Sequence, residues 1–297
     1  RRVRVTMPKA AAAGRYFDTD FNQTPFTLAW EMTRACALAC LHCRAEAQPR
    51  RDPRELTTAE GYRLIDQVVE IGRPILVLTG GDPLMRHDIF DLASYSVARG
   101  LRTALAPSAT RRLTPAALRR FQEIGISMVH ISLDGATAAV HDAFRGVHGS
   151  FARTEAILRA VVDIGLPLQI GTTVTRHNID TLPAIAERVA AAGATVWSVF
   201  FLVPTGRGQA GDMISPIAHE WSLLWLYEYS RTVAYRVRTT AAPQYRRIVI
   251  QALRQEQEAG APNLNKLPGW IATGAGYAFR EGGWADAYTM ARLRDEP

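Results

Sequence analysis

Lysine is almost missing from this chain of 297 residues. Lys and Arg together number 35, only Lys9 and Lys266 are lysines, and the remaining 33 are arginine. Long apolar runs are missing too. None approaches the roughly 20 residues that cross a bilayer, which excludes a transmembrane helix and sets a membrane aside. The opening Arg1-Arg2-Val3-Arg4-Val5 is basic but has no apolar stretch behind it, so it does not read as a secretory signal. No run interleaves basic and aromatic residues as nucleic-acid modules do, so nucleic acid is set aside as a partner. Cysteine is scarce, at three residues, and an odd number does not suit a disulfide framework. What is present is an ordinary globular composition, 47% hydrophobic and 21% charged, long enough for one large or two modest domains. The net charge of +7 is carried almost wholly by arginine, whose planar fork grips carboxylates and phosphates through two hydrogen bonds at once. That favours an acidic small molecule or an acidic peptide as substrate. Genomic base composition is the competing explanation, since it raises Arg and Ala together.

The three cysteines all lie in one segment, Cys36-Ala-Leu-Ala-Cys40-Leu-His-Cys43. Scattered cysteines would read as small buried hydrophobes. Three thiolates on one short loop can converge on one inorganic centre, and thiolates select iron-sulfur clusters or zinc. A cubane cluster has four irons, so three cysteines leave one iron open to bind and activate a small molecule. Structural zinc with His42 as fourth ligand is the alternative. His42 is the immediate neighbour of Cys43, which makes joint ligation awkward, and structural zinc usually draws on two separated ligand pairs. Reduced cysteines without an export signal place the protein in the cytoplasm.

From residue 27 onward the pattern alternates. Thr27-Leu28-Ala29-Trp30-Glu31 reads as a strand that ends at the cysteine loop. Thr57 and Glu60 form a capping box for a helix with Leu64, Ile65, Val68, Val69 and Ile71 on its apolar face. Strands are expected at 75–78, 101–106, 126–133, 166–174 and 195–203. Helices are expected between them, with Thr114-Pro115 and Ser150 as starts and Gly72, Gly100, Gly125 and Gly165 as stops. Short apolar strands each followed by a helix are the signature of a parallel sheet covered by helices. The repeats number six, counting the helix after residue 215. Ligands of such sheets bind at the C-terminal strand ends, which is where the cysteine loop falls.

The cysteine loop resembles the cluster loop of the radical S-adenosylmethionine (SAM) enzymes. The resemblance implies a six-stranded (β/α)6 partial TIM barrel with an open side and a helical C-terminal extension. It implies one [4Fe-4S] cluster on Cys36, Cys40 and Cys43 whose open iron chelates SAM. An electron donor such as flavodoxin or ferredoxin reduces the cluster. Cleavage of SAM then yields a 5'-deoxyadenosyl radical that abstracts hydrogen from a small-molecule or peptide substrate. His42 sits where the family places an aromatic residue near the adenine. Gly80-Gly81-Asp82-Pro83 is similar to the family's Gly-Gly-Glu-Pro motif for the SAM amino group, with a shorter carboxylate; alone it would be an ordinary turn. Ser108 is a candidate for a SAM hydroxyl. Ser132-Leu133-Asp134-Gly135 and His141-Asp142-Ala143-Phe144-Arg145-Gly146 resemble a stretch of the peptide and cofactor maturases. Ser132 and Asp134 would face SAM, and Arg145 would pair with its carboxylate. The stretch Thr172 to Asn178 would line the radical pocket, and Val203 would pack near adenine.

Pro204-Thr205-Gly206-Arg207-Gly208 and Ala242-Pro243-Gln244-Tyr245-Arg246-Arg247 resemble the enzymes of alternative haem and d-type haem biosynthesis. This favours an anionic tetrapyrrole as substrate, with Arg207 and Arg246 as candidates for its carboxylates. Those enzymes carry a cysteine for an auxiliary cluster in a SPASM or twitch extension, just before the second segment. Here Ala241 and Ala242 stand there, and no cysteine follows. The expected division is an irregular lead-in over 1–26, the barrel over 27–213, and an extension over 214–297 that is truncated or degenerate. Trp221, Leu224, Trp225 and Tyr229 are expected to form a packed aromatic face on its helix.

Overall fold

The computed structural model describes residues 20–258 and two short antiparallel strands, Ala278–Arg280 and Gly283–Ala285. The lead-in before residue 20 and the Gly274–Tyr277 stretch lie outside the described residues. The main body is one parallel sheet in strict sequence order: β1 (Thr27–Glu31), β2 (Ile75–Thr79), β3 (Arg102–Leu105), β4 (Val129–Ser132), β5 (Leu168–Val174), β6 (Val196–Phe201) and β7 (Arg236–Thr240). Every neighbouring pair is parallel, and β1 and β7 are the two edges. Right-handed crossovers in this order put the connecting helices on one face and leave the other as a concave interior.

The helices are α1 (Thr58–Glu70), α2 (Ile89–Ala98), α3 (Pro115–Ile124), α4 (Ala138–Arg145), α5 (Ser150–Ile164), α6 (Leu182–Ala191), α7 (Pro216–Thr232) and α8 (Tyr245–Glu258). Their starts and stops follow local chemistry. Thr57 and Glu60 close the capping box on α1, Thr114 accepts from Ala117 N at 3.1 Å, and Gly125 and Gly165 end α3 and α5 in the left-handed conformation. Beneath the helices lies the core. Leu76, Leu78, Leu105, Ile131, Ile170 and Trp197 from the strands pack with Ile65, Leu92, Phe121, Val161 and Ile185, all fully buried. Among the described residues no helix is long and apolar enough to cross a membrane.

Five expectations are corrected. The sheet has seven strands, not six, and the stretch after residue 213 is not purely helical: β7 pairs with β6 from Val196–Arg236 to Phe200–Thr240. Only Val237 and Thr239 of β7 are buried against helices, while arginines alternate with them, so the strand carries no continuous apolar signal. Ser150 does not cap α5. Gly149 is the cap residue, and the Asp142 carboxylate accepts from Gly149 N (2.6 Å), Phe151 N (2.7 Å) and Ser150 Oγ (3.0 Å). Ile71 lies past the end of α1 and is exposed. The aromatic face of α7 is only half used. Trp225 and Tyr229 meet Trp197 edge-on at 6.4 and 5.9 Å, whereas Trp221 is 50% exposed and Leu224 48%.

Candidate active site

The cysteine segment leaves β1 at the C-terminal mouth of the sheet and is gripped by backbone from the loops after β2 and β6 and from the end of α4. Gly81 N donates to Thr33 O (2.7 Å) and Asp82 N to Ala35 O (2.8 Å) from the loop after β2. Ala39 N and Leu41 N donate to Arg145 O and Phe144 O at 3.0 Å, at the end of α4. Arg207 N donates to Cys43 O (3.1 Å) from the loop after β6. Glycine is required at these approaches. A Cβ on Gly81 would stand 2.5 Å from Ala35 O, and one on Gly206, at φ +60°, would stand 2.5 Å from the carbonyls of Cys43 and Arg44. The Gly-Gly pair therefore serves to bring the β2 loop against the backbone of the cysteine loop. Arg207 adds side-chain contacts, with Nε donating to Cys40 O (3.0 Å) and Nη1 to Ala47 O (3.2 Å).

Inside this collar is a cavity of about 340 Å³. Its wall includes Cys36, Cys40, Cys43, His42, Gly80, Gly81, Ser108, Ser132 and Arg145. None of the three cysteines is disulfide-bonded. Each sulfur has a donor aimed at it. Leu38 N reaches Cys36 Sγ (3.4 Å), Arg145 Nη1 reaches Cys40 Sγ (3.5 Å) and Ala47 N reaches Cys43 Sγ (3.3 Å). Cys36 also pairs with Ser108 Oγ at 3.5 Å, and burial pushes its free thiol above the usual range. Donors converging on sulfur are what iron-bound thiolates call for. Among the described residues no three His, Cys, Asp or Glu side chains are gathered as a single metal ion would need. A cluster fits the loop better, because it takes each thiolate on a different iron. His42 rests on Phe144 at 4.6 Å, and burial holds its pKa down at about 4, so the ring is neutral. His42 Nδ1 and Arg207 Nη2 are buried without a hydrogen-bond partner among the described residues, leaving polar valence for a bound molecule.

Two predicted carboxylates lie behind the cavity wall. Asp134 is 1% exposed. One oxygen accepts from Thr173 N (2.7 Å) and the other is ion-paired with the Arg145 guanidinium. Burial alone would raise its pKa, but the Arg145 guanidinium holds the carboxyl below the usual range. The pair thus orients Arg145 into the cavity. Asp82 accepts from Leu84 N (3.1 Å) and Thr110 Oγ1 (2.9 Å), tying the β2 and β3 loops together, and its burial pushes the carboxyl up. Val203, just past β6, is outside the lining, and Phe200 lines the cavity instead. Asn178 also sits behind the wall. Its Nδ2 donates to Asp134 O (3.0 Å) and Thr173 O (2.8 Å). The reading of strand ends missed His130, which lines the cavity two residues before Ser132 on the same face of β4. Burial pushes its pKa down to about 4.

A parallel half-barrel with a three-cysteine loop at its C-terminal mouth defines a class, and direct comparison gives the same class. The profile of the radical SAM superfamily matches residues 30–189, and this chain belongs to that superfamily of enzymes. An AdoMet-dependent heme synthase of Nitratidesulfovibrio vulgaris is 38% identical over 265 residues, covering 88% of this chain and 72% of that protein. A second, from Methanosarcina barkeri, is 41% identical over 235 residues, covering 79% and 67%. Among solved structures, Streptococcus suis SuiB bound to the precursor peptide SuiA superposes with a TM-score of 0.62 at 14% identity, over 72% of this chain and 49% of SuiB. The chain therefore spans about half of that structure, and the likeness concerns the fold.

Proposed function

We propose that the chain is a radical SAM enzyme acting on an anionic tetrapyrrole, with Cys36, Cys40 and Cys43 holding one [4Fe-4S] cluster. The observation that carries this is the loop of three thiols, each with a donor aimed at it, facing a cavity walled by Gly80, Gly81, Ser108 and Ser132. When bound, the cluster would supply the electron that cleaves SAM to a 5'-deoxyadenosyl radical, and the radical would take hydrogen from the substrate. The chain's own residues do the positioning. Arg145, fixed by Asp134, offers its guanidinium to the SAM carboxylate. The backbone of Gly80 and Gly81 serves the amino group. The neutral ring of His42 offers a flat surface to adenine. Asp82 acts from behind by holding the β2 loop in place. A flavodoxin or ferredoxin would deliver the electron. The heme synthase relatives, together with the Gly206-Arg207-Gly208 and Gln244-Tyr245-Arg246 segments, favour the tetrapyrrole. Arg207 is engaged with the cysteine loop, so its role would be to shape that loop.

A ribosomally made peptide is the second reading, favoured by Ser132-Leu133-Asp134-Gly135. Anaerobic reconstitution, followed by assays of iron, sulfide and 5'-deoxyadenosine, tests the class. About four irons per chain and SAM cleavage are expected. Zinc without cleavage, or cleavage by a Cys36→Ala, Cys40→Ala, Cys43→Ala variant, would refute it.

A further inference from the structure

The three sulfurs of the cysteine loop have unequal neighbours. Cys36 has Leu38 N and the Ser108 hydroxyl, and Cys43 has Ala47 N, all of them neutral groups. Among the described residues only Cys40 faces a cation, the Arg145 guanidinium, whose Nη1 is 3.5 Å from the sulfur. That contact is built in from both ends. Ala39 N and Leu41 N, on either side of Cys40, donate to the carbonyls of Arg145 and Phe144 at 3.0 Å. Gly146 ends α4 at φ +68°, and a Cβ there would stand 2.6 Å from Ala39 O, so the last turn of α4 comes this close only because residue 146 is glycine. At the other end of the fork, Nη2 is ion-paired with Asp134, which is itself held by Thr173 N at 2.7 Å. The side chains of Asp134 and Arg145 are nearly sealed from solvent, and Cys40 is buried with them. A planar guanidinium that spans two partners cannot turn from one without losing the other.

We propose that Arg145 raises the reduction potential of the cluster held by Cys40, and that Asp134 limits how far it does so. The inference rests on the [4Fe-4S] reading and deepens it. Reduction adds one negative charge to a cluster, and hydrogen bonds to the ligand sulfurs, together with nearby charge, decide how readily that charge is accepted. A guanidinium donating to a ligand sulfur favours the reduced state on both counts. Its bond is charge-assisted, about twice as strong as the neutral ones at Cys36 and Cys43. It also acts where water is largely excluded, so the charge is felt strongly. Asp134 cancels part of that charge while fixing the direction of the fork. Arg145 is then tied to a cluster ligand at one nitrogen and to its counterion at the other, and it still lines the cavity where the SAM carboxylate would meet it.

The test is a redox titration of the reconstituted full chain without SAM, read by electron paramagnetic resonance of the reduced cluster. Arg145→Met should lower the midpoint and Asp134→Asn should raise it, each by about tenfold in the one-electron equilibrium, which is about 59 mV. Opposite signs are the signature, because a purely structural role would loosen the site in both variants and move them together. Arg145→Lys, which keeps a positive charge near Cys40, should recover part of the fall. Combining Asp134→Asn with Arg145→Met leaves the net charge unchanged and loses only the bond to sulfur. That double variant should sit below wild type and above Arg145→Met. If a single variant takes up no cluster, the double variant, which strands no charge, carries the test. Midpoints equal to wild type, or single-variant shifts of the same sign, overturn the tuning and leave the cluster reading standing. A wild type that holds zinc and no iron overturns both.

Discussion

Breaking the Asp134–Arg145 pair from either side should cost far more than removing it whole. Both groups are buried, with side-chain exposures of 1% and 10%. Asp134→Asn removes the countercharge and turns an amide donor toward a guanidinium that has donors only. A buried charge left without its partner costs about 3–5 kcal/mol. Arg145→Met leaves the carboxylate with Thr173 N as its single charge-relevant donor, and the expected cost is of the same order. In the double variant no charge is stranded. The carboxamide oxygen introduced by Asp134→Asn can still accept from Thr173 N, and the methionine fills much of the vacated volume. The double variant should therefore be more stable than the sum of the singles predicts, by about 2–3 kcal/mol of coupling. Urea unfolding of the four cluster-free proteins measures it. Additivity to within about 0.5 kcal/mol would refute the reasoning, since the pair would then be solvated well enough to behave as two independent surface charges.

Three further outcomes follow from single contacts. Gly81→Ala puts a methyl group 2.5 Å from Ala35 O and 2.8 Å from Arg34 O, both backbone atoms. The cysteine loop must shift, and iron incorporation on reconstitution should fall while the circular dichroism spectrum stays native. His141 is held at a pKa of about 4 by burial, with Arg145 adding to the shift, and its Nδ1 accepts from Asp134 N at 3.2 Å. A depressed folded pKa gives stability that is present above the unfolded value of about 6.5 and is lost as pH falls toward 4, at most about 3 kcal/mol for this ring. His141→Gln should flatten the fall in urea midpoint between pH 7 and pH 4.5, leaving the share due to His42 and His130; an unchanged slope would refute the assignment. Thr57→Ala removes the hydroxyl that accepts from Glu60 N at 3.3 Å and should lower stability by about 1 kcal/mol, read by the same unfolding assay.

Legibility in the sequence followed the physics of each element. Strands β2 and β6 read as apolar runs, β4 and β5 carry apolar residues mainly at alternate positions toward the helices, and glycines mark the helix stops. β7 escaped because its inner face is arginine and its outer face contributes only Val237 and Thr239 to the core. The cysteines were legible because thiolate chemistry resides in the side chain itself. Asp82 and Asp134 were legible as residues, but their direction was not. β4 ends at Ser132, so the alternation that turns Ser132 and His130 inward does not extend to residue 134. The chain turns there, and Asp134 ends behind the wall. His130 could have been found by counting back two positions from Ser132.

The Gly80-Gly81 segment, proposed above to serve SAM, presses on the backbone of the cysteine loop itself. A cluster loop with no secondary structure of its own must still hold three sulfurs in fixed positions, within the small tolerance that a metal centre allows. Side-chain packing fixes little of the loop: Cys36, Cys40, His42 and Cys43 line the cavity, Leu41 is exposed, and the pairing of His42 with Phe144 is its one ring contact among the described residues. Its rigidity comes from carbonyl and amide groups paired with the β2 loop, the end of α4 and the β6 loop. Each of those approaches is so close that only a hydrogen fits at Gly81 and Gly206. Glycines after β2 and β6 and cysteines on the first loop are then one requirement met from two sides, and Arg207, spanning Cys40 O and Ala47 O, completes the collar. Replacing Arg207 with Met should reduce cluster occupancy even with ligand carboxylates absent, and iron content measured before any substrate is added would reveal it. Full occupancy in that variant would return Arg207 to the role of a substrate contact.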